Sequence, residues 1–426
     1  MKYLSKTIEY GLYLLVFLLP LQTRWIIKAG QLNGDYWEYG TYSLYATDML
    51  LIFVLLLFII YRFMERKITN YPPPPRLRRT SELRITNLIQ NTKYKIQNLL
   101  ILGLVLVAAF SIFFAPDKFL AFYKFGWLAL ALGLFWLVKS AGYDRLKLVY
   151  ALLAGALFQA GLGIWQFLNQ TSFASKWLGL ALHDGADLGA SVVEAVGVGS
   201  LSERWLRAYG GLDHPNILGG MLAIAALLLI GQNIIKERES DFKFCKIIYW
   251  PSLAIFTAGL FFSFSRSAWL ALIVGLAALI VRAVAAGNYK SQRGLAETIL
   301  VIGIILFIFF NQYQNLVISR LGGEGRLEAK SKSERLTSYQ EARPVIKNNR
   351  LLGVGPGNYT LAVRDKISPS QAGYYYQPAH NVFMLVWAET GIFGIIFFAG
   401  FIFFTFMKLL RRPKYGVCRD NGEAAV

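Results

Sequence analysis

The chain has 426 residues, of which 55% are hydrophobic and 16% charged, with a mean hydropathy of +0.44. Soluble domains carry roughly 25% charged residues, so this composition argues against a soluble enzyme and for a chain that lives in a bilayer. The net charge of +19 is what membrane proteins collect in cytoplasmic loops and at head groups, so no nucleic-acid partner is needed to explain it. Two cysteines, Cys245 and Cys418, imply neither a disulfide framework nor redox chemistry.

Apolar runs recur over residues 9–27, 43–63, 97–115, 119–138, 147–167, 215–235, 247–264, 267–287, 297–313 and 381–410. Each is long enough as helix to cross a hydrocarbon core of about 30 Å, which predicts an all-α polytopic membrane protein of about ten transmembrane helices, 10–12 at most. The first run is too long for a removable signal peptide and has no small-residue cleavage site, so it is expected to stay as a span. Every second loop is basic. The loop 64–96 carries Arg76, Arg78, Arg79 and Arg84, and later turns carry Lys139, Arg145, Lys236, Arg282 and Arg411. The positive-inside rule then puts both termini in the cytoplasm. With Pro72–Pro75 at its centre, 64–96 is expected to be an irregular cytoplasmic linker held to anionic head groups. The chain reads as one membrane domain, 1–426, and two long loops, 168–214 and 314–380, fall on the outer, periplasmic face, where function is expected to sit.

No Walker loop, dinucleotide fingerprint, HExxH, CxxC or nucleophile elbow occurs, which argues against ATP coupling, and no cofactor is implied. The three histidines, His183, His214 and His380, all fall on the predicted outer side. His183 with Asp184 and Asp187 has only a generic spacing among glycines, and no metal is assigned to it.

Four outer segments carry charge or proton-transfer chemistry. In Arg207–Asn216, Pro215 sits at a helix start, and Arg207, His214 and Asn216 either cap it or contact a phosphate or sugar. Ser263–Ser267 links two apolar runs with almost no loop and pins Arg266 at the interface, where it meets an anionic substrate or snorkels to lipid phosphate. The capping box Ser331–Glu334 predicts a helix with Arg335 in its first turn and Tyr339 one turn on, which gives an anion site or an ordinary amphipathic surface helix. Beyond it, Gly353–Asn358 is either an amide nest for phosphate or a plain turn. In Gln377–Asn381, His380 opens a short helix that kinks into the last span, and its imidazole either accepts a hydroxyl proton or caps the helix. Glu389, farther along, is expected to brace the kink.

Taken in order, Ser-x-Ser-Arg at an outer turn, an arginine-led helix with a following Gly-x-Gly, and His-Asn before the last helices resemble the O-antigen ligase and O-antigen polymerase superfamily, over roughly residues 204–400. Tyr339 stands where that family often has tryptophan, and about ten spans is fewer than the twelve typical of the ligases. The resemblance implies a GT-C-like fold and an inverting, metal-independent glycosyltransferase. Its donor would be an undecaprenyl-pyrophosphate-linked glycan and its acceptor a lipid A core or related hydroxyl. The resemblance makes Arg266, Arg335 and His380 the catalytic residues, and Arg207, Gly210, Pro215 and Asn216 match its weaker upstream motif; Arg207, His214, Asn216, Tyr339 and Asn381 are expected to contact pyrophosphate or glycan. A polymerase would use the same donor and motifs. A lipid-linked glycan flippase is the non-enzyme alternative, but charges such as Asp48 and Lys124 lie toward span ends and sketch no polar transit path.

Overall fold

The computed structural model describes residues 1–69, 82–187, 189–196, 202–236, 242–322 and 326–410. Among them, thirteen α-helices follow in order: α1 Lys2–Leu18, α2 Ala46–Thr69, α3 Glu82–Ser111, α4 Lys118–Ser140, α5 Arg145–Asn169, α6 Pro215–Lys236, α7 Phe242–Phe262, α8 Arg266–Ala285, α9 Tyr289–Gln312, α10 Gln314–Gly322, α11 Arg326–Asn348, α12 Tyr359–Lys366 and α13 Val382–Leu410. Eight are long and apolar enough to cross a membrane, and the shorter apolar stretch Ile247–Phe262 lies in α7. The all-α, multi-pass membrane architecture expected from the apolar runs is what the chain adopts. Three small antiparallel pairs supplement it: β1 Arg24–Lys28 with β4 Tyr42–Tyr45, β2 Gln31–Leu32 with β3 Asp35–Tyr36, and β5 Val192–Val196 with β6 Ser202–Leu206.

The chain divides into two compact units. The first comprises Met1–Lys28, Tyr42–Pro72 and Leu130–Glu334, and the second Ala29–Thr41, Pro73–Ala129 and Arg335–Val426. In the first, α5, α6, α7 and α8 pack around an aromatic core. Phe167 stacks on Phe262 with centroids 4.3 Å apart, and Phe264 and Tyr313 close the cluster. Small residues set the approach of these helices: a Cβ on Gly219 would lie 2.7 Å from Ser263 Oγ, so α6 can run close beneath the turn before α8 only because it carries glycine there. A second apolar cluster of this unit joins Leu12, Val54, Phe58 and Leu137 from α1, α2 and α4.

In the second unit α3 packs along α13, with the Phe397 ring against Gly103. The last span breaks at Gly391, whose φ of 69° no L side chain readily adopts. The break is held by the segment that follows α11. Val354 N donates to Ala388 O at 2.9 Å, Gly355 N to Glu389 O at 2.8 Å, and Ile392 N to Arg350 O at 2.8 Å. These bonds satisfy carbonyls and an amide that the break removes from the helical ladder.

Several expectations need correction. The first apolar run is helical only to Leu18, and Arg24–Lys28 is a strand paired with Tyr42–Tyr45, because β-branched and aromatic residues around Trp25–Ile27 suit a hairpin. The basic loop 64–96 is helical through Thr69 and from Glu82 onward, since Arg, Lys, Glu and Gln are good helix formers; Pro72–Pro75 and the rest of 70–81 lie outside the described residues, as do Arg411 and Cys418. The second helix of the large loop, α11, starts at Arg326 instead of the capping box at Ser331, because the Leu327–Lys330 turn is equally helix-forming.

Candidate functional site

In the first unit, the turn before α8 is built around a left-handed Phe264, φ 46°, whose fully buried ring anchors it in the aromatic core. Such a conformation costs a non-glycine residue on the order of 1–3 kcal/mol, so the surroundings must enforce it. They do so through arginines. Arg207 Nε donates to Ser263 O at 2.8 Å, and Arg320 Nε donates to Phe264 O at 3.1 Å. Ser265 is the N-cap residue of α8, so Arg266 is its first helical residue, beside the positive end of a 20-residue helix. Its Nη1 donates to Arg320 O at 3.1 Å.

Arg207 is only 3% exposed and uses all three of its nitrogens as donors, with Nη1 on Ser191 Oγ at 2.8 Å and Nη2 on Asn216 Oδ1 at 2.6 Å. Burial, followed by the nearby Arg320 and Arg266 cations, pushes its guanidinium down to about 9, so it stays charged at neutral pH. Three arginines, 207, 266 and 320, are thus gathered at the start of α8, with the α6 residue Asn216 bonded to the buried one. Two buried glutamines of α5 fix the strand-to-helix connection that carries Arg207. Gln166 Oε1 accepts from Tyr209 N at 3.1 Å and Gly210 N at 2.8 Å, its Nε2 donates to Gly210 O at 2.7 Å, and Gln159 Oε1 accepts from Gly211 N at 2.5 Å. α10 is tied to β5 by the Ser319 hydroxyl on Glu194 O, and Arg326 pairs with Glu194 at 2.9 Å.

His214 acts locally: its Nδ1 accepts from Asn216 N at 3.0 Å and caps α6. His183 stacks on the Tyr209 ring at 4.2 Å, and burial lowers its pKa against the opposing pull of Asp187 and Asp213. Among the described residues, no three His, Cys, Asp or Glu side chains are grouped so as to hold a metal ion.

In the second unit, His380 is exposed and its backbone N donates to Ser338 Oγ of α11 at 3.1 Å. That bond brings the His380–Asn381 segment against the α11 turns that carry Arg335 and Tyr339, both exposed. Asn381, not His380, opens the last helix, its Oδ1 accepting from Phe383 N at 2.9 Å and Met384 N at 3.3 Å. Arg335 sits more than two turns inside α11, so the expected partnership with helix N-terminal amides is not made. Nor is the glycine segment 353–358 open as a phosphate nest. Gly355 N is taken by the Glu389 carbonyl, and the amides of Gly357 and Tyr359 are bonded to the Glu389 carboxylate. The nest's anion is the protein's own side chain, and Glu389 braces the kink as expected.

Arg320, Ser191, Gln159 and Gln166 escaped the sequence reading. The glutamines were detectable in principle as polar residues within an apolar span, whereas Arg320 followed no recognisable motif.

Residues 251–399 match the family model described as O-antigen ligase, and the matched segment contains Arg266, Arg320, Arg335 and His380. No curated protein matches the chain. Over that segment, about a third of its length, the chain is similar to the O-antigen ligases.

Proposed function

We propose that this protein transfers a glycan from undecaprenyl pyrophosphate to an acceptor hydroxyl, on lipid A core or a related surface acceptor, at the outer face of the bacterial inner membrane. The observation that carries the reading is the grouping of Arg207, Arg266 and Arg320 at the start of α8. Donor cleavage leaves negative charge on the departing pyrophosphate, and fixed guanidinium groups at a helix N-terminus stabilise it without reorganising. In this scheme the arginines supply the positive charge of the reaction and no metal takes part.

The acceptor oxygen attacks the anomeric carbon from the face opposite the pyrophosphate, the C–O bond to phosphate breaks, and undecaprenyl pyrophosphate departs with the electron pair, inverting the centre. His380 accepts the hydroxyl proton. Arg266 and Arg320 contact the leaving group, and the buried Arg207 with Asn216 holds the turn and adds its field. Arg335 is the second catalytic arginine that the family resemblance implies, and Tyr339 and Asn381 serve as donor or glycan contacts. In the orientation proposed, both termini are cytoplasmic, and the 168–214 and 314–380 segments face the periplasm with the arginines.

The test is purified protein in liposomes with undecaprenyl-pyrophosphate-linked glycan, candidate acceptors and a chelator. Chelator-resistant release of undecaprenyl pyrophosphate, falling on the order of 100-fold in Arg266→Ala, is expected. Binding of donor without release under any acceptor would overturn the reading in favour of a lipid-linked glycan flippase. Products lengthened by repeat units would identify a polymerase.

A further inference from the structure

A cavity of about 370 Å³ opens within the second unit, walled by α3, α4, α13 and the start of α12. Its walls are mainly apolar, yet Lys124 and Glu389 face it from within membrane-spanning helices. Charged groups within apolar helices are costly and are kept where they pair with one another or bind something. Here they interact with each other, while the Glu389 carboxylate is held by the Gly357 and Tyr359 amides and Lys124 Nζ lies 4.3 Å from the centre of the Trp127 ring. An acid and a base are thus both fixed at the cavity, unlike the all-cationic grouping at the start of α8. A neutral polar occupant suits the cavity better than a phosphate.

Two further features narrow the chemistry. The Tyr359 and Thr360 side chains, 1% and 2% exposed, both line the cavity, and each keeps a hydroxyl with no hydrogen-bond partner. Buried hydroxyls in native proteins are nearly always paired, so these two point to a missing polar ligand. Burial, reinforced by Glu341, Tyr375 and Glu389, holds the Tyr359 phenol above its ordinary range, so it remains a donor. Trp127 adds a flat aromatic wall. A lipid chain would match the apolar walls but leave both hydroxyls without a partner. A sugar ring satisfies all of them, with apolar C–H faces for the tryptophan and hydroxyls that both donate and accept.

We propose that this cavity is a subsite for one uncharged pyranose, stacked on Trp127 and hydrogen-bonded by Lys124, Glu389, Tyr359 and Thr360. Pro378, two residues before His380, forms part of its wall. The sugar it holds is the acceptor's, an assignment that rests on the transferase reading above.

Saturation-transfer NMR on the full chain in nanodiscs, with a panel of methyl glycopyranosides as probes, tests the subsite without turnover. At least one glycoside is expected to receive saturation from the wild type, with the signal reduced about tenfold in Trp127→Leu and in the milder Thr360→Val, and unchanged in Trp177→Phe of the first unit. No saturation of any glycoside, or equal saturation in wild type and both cavity variants, would overturn the subsite. A parallel turnover assay separates the two readings: Thr360→Val should raise the acceptor KM about tenfold and leave the donor KM alone. A variant-sensitive NMR signal from protein that never releases undecaprenyl pyrophosphate would uphold the sugar site and remove its acceptor role.

Discussion

Arg266 and Arg320 brace one turn from both sides: Arg266 Nη1 reaches Arg320 O, and Arg320 Nε reaches the carbonyl of Phe264, two residues before Arg266, both at 3.1 Å. Either side chain thereby positions the other's guanidinium as well as contributing its own charge. Arg320→Ala is expected to lower glycan release on the order of 100-fold, much as Arg266→Ala does, and the double variant to lose little more than either single one. Arg320→Lys should recover little, because a lysine has no Nε–H to give Phe264 while its terminal group faces a substrate. Single-turnover release of undecaprenyl pyrophosphate measures all four variants. Multiplicative losses in the double variant would show that the two arginines act independently.

Arg207 is a stability determinant as much as a charge. Arg207→Met leaves Ser263 O and Asn216 Oδ1 buried without their donor, which costs about 2–3 kcal/mol. Arg335→Ala, at an exposed position, should change stability by less than about 0.5 kcal/mol. Thermal denaturation of the two variants in one detergent distinguishes these outcomes, and equal melting temperatures would contradict the role given to Arg207.

His183 predicts a pH dependence. Its folded pKa is lowered by burial, so the unfolded chain binds the proton more readily, and stability is complete above the unfolded value of about 6.5 and declines as the pH falls toward the folded value. The melting temperature of the wild type should therefore drop between pH 7.5 and 5.5. His183→Phe, which keeps the ring stack on Tyr209, should lose that part of the drop. A drop of the same size in the variant would assign it to other groups.

The kink at Gly391 admits no side chain. A Cβ there would lie 2.0 Å from Leu351 O, on top of an unfavourable φ of 69°. Gly391→Ala should abolish transfer and destabilise the protein by several kcal/mol, among the largest effects of any single substitution. Gly287→Ala, also at a positive φ but with open space around the added carbon, should cost only about 1 kcal/mol. Size-exclusion profiles and melting curves of the pair compare crowding with backbone strain alone.

Much of this was legible in the sequence because membrane spans are written in composition. The apolar runs from 43 onward each fall on a helix, although α3 and α9 begin well before their runs and α2 ends beyond its run, and the break at Gly391 follows from a glycine beside a polar Glu389–Thr390 pair. Arg207, Asn216 and Arg266 were identifiable from their motifs, and the fold brings all three to the start of α8. What stayed hidden depends on long-range partners. Arg320 gains its place from the carbonyl of Phe264, 56 residues away in sequence. The glycine segment 353–358 read as an empty anion nest because nothing local says that the Glu389 carboxylate returns to fill it. The capping box at Ser331 was a genuine local signal, overridden by five more helix-forming residues upstream of it.

The two glutamines of α5 also bear on how the protein is made. α5 leaves the ribosome before the Tyr209–Gly211 backbone that Gln159 and Gln166 will bind, which lies 43 to 52 residues downstream. During that interval the newly inserted helix holds two amide side chains that the hydrocarbon cannot satisfy. α5 must then linger beside the translocon, or shelter its polar face on α1, which it already contacts closely at Gly155, until the connection to α6 emerges. Replacing either glutamine with leucine would ease insertion of the isolated span and spoil the turn it was waiting to receive. The order of synthesis is thereby one of the constraints written into that helix.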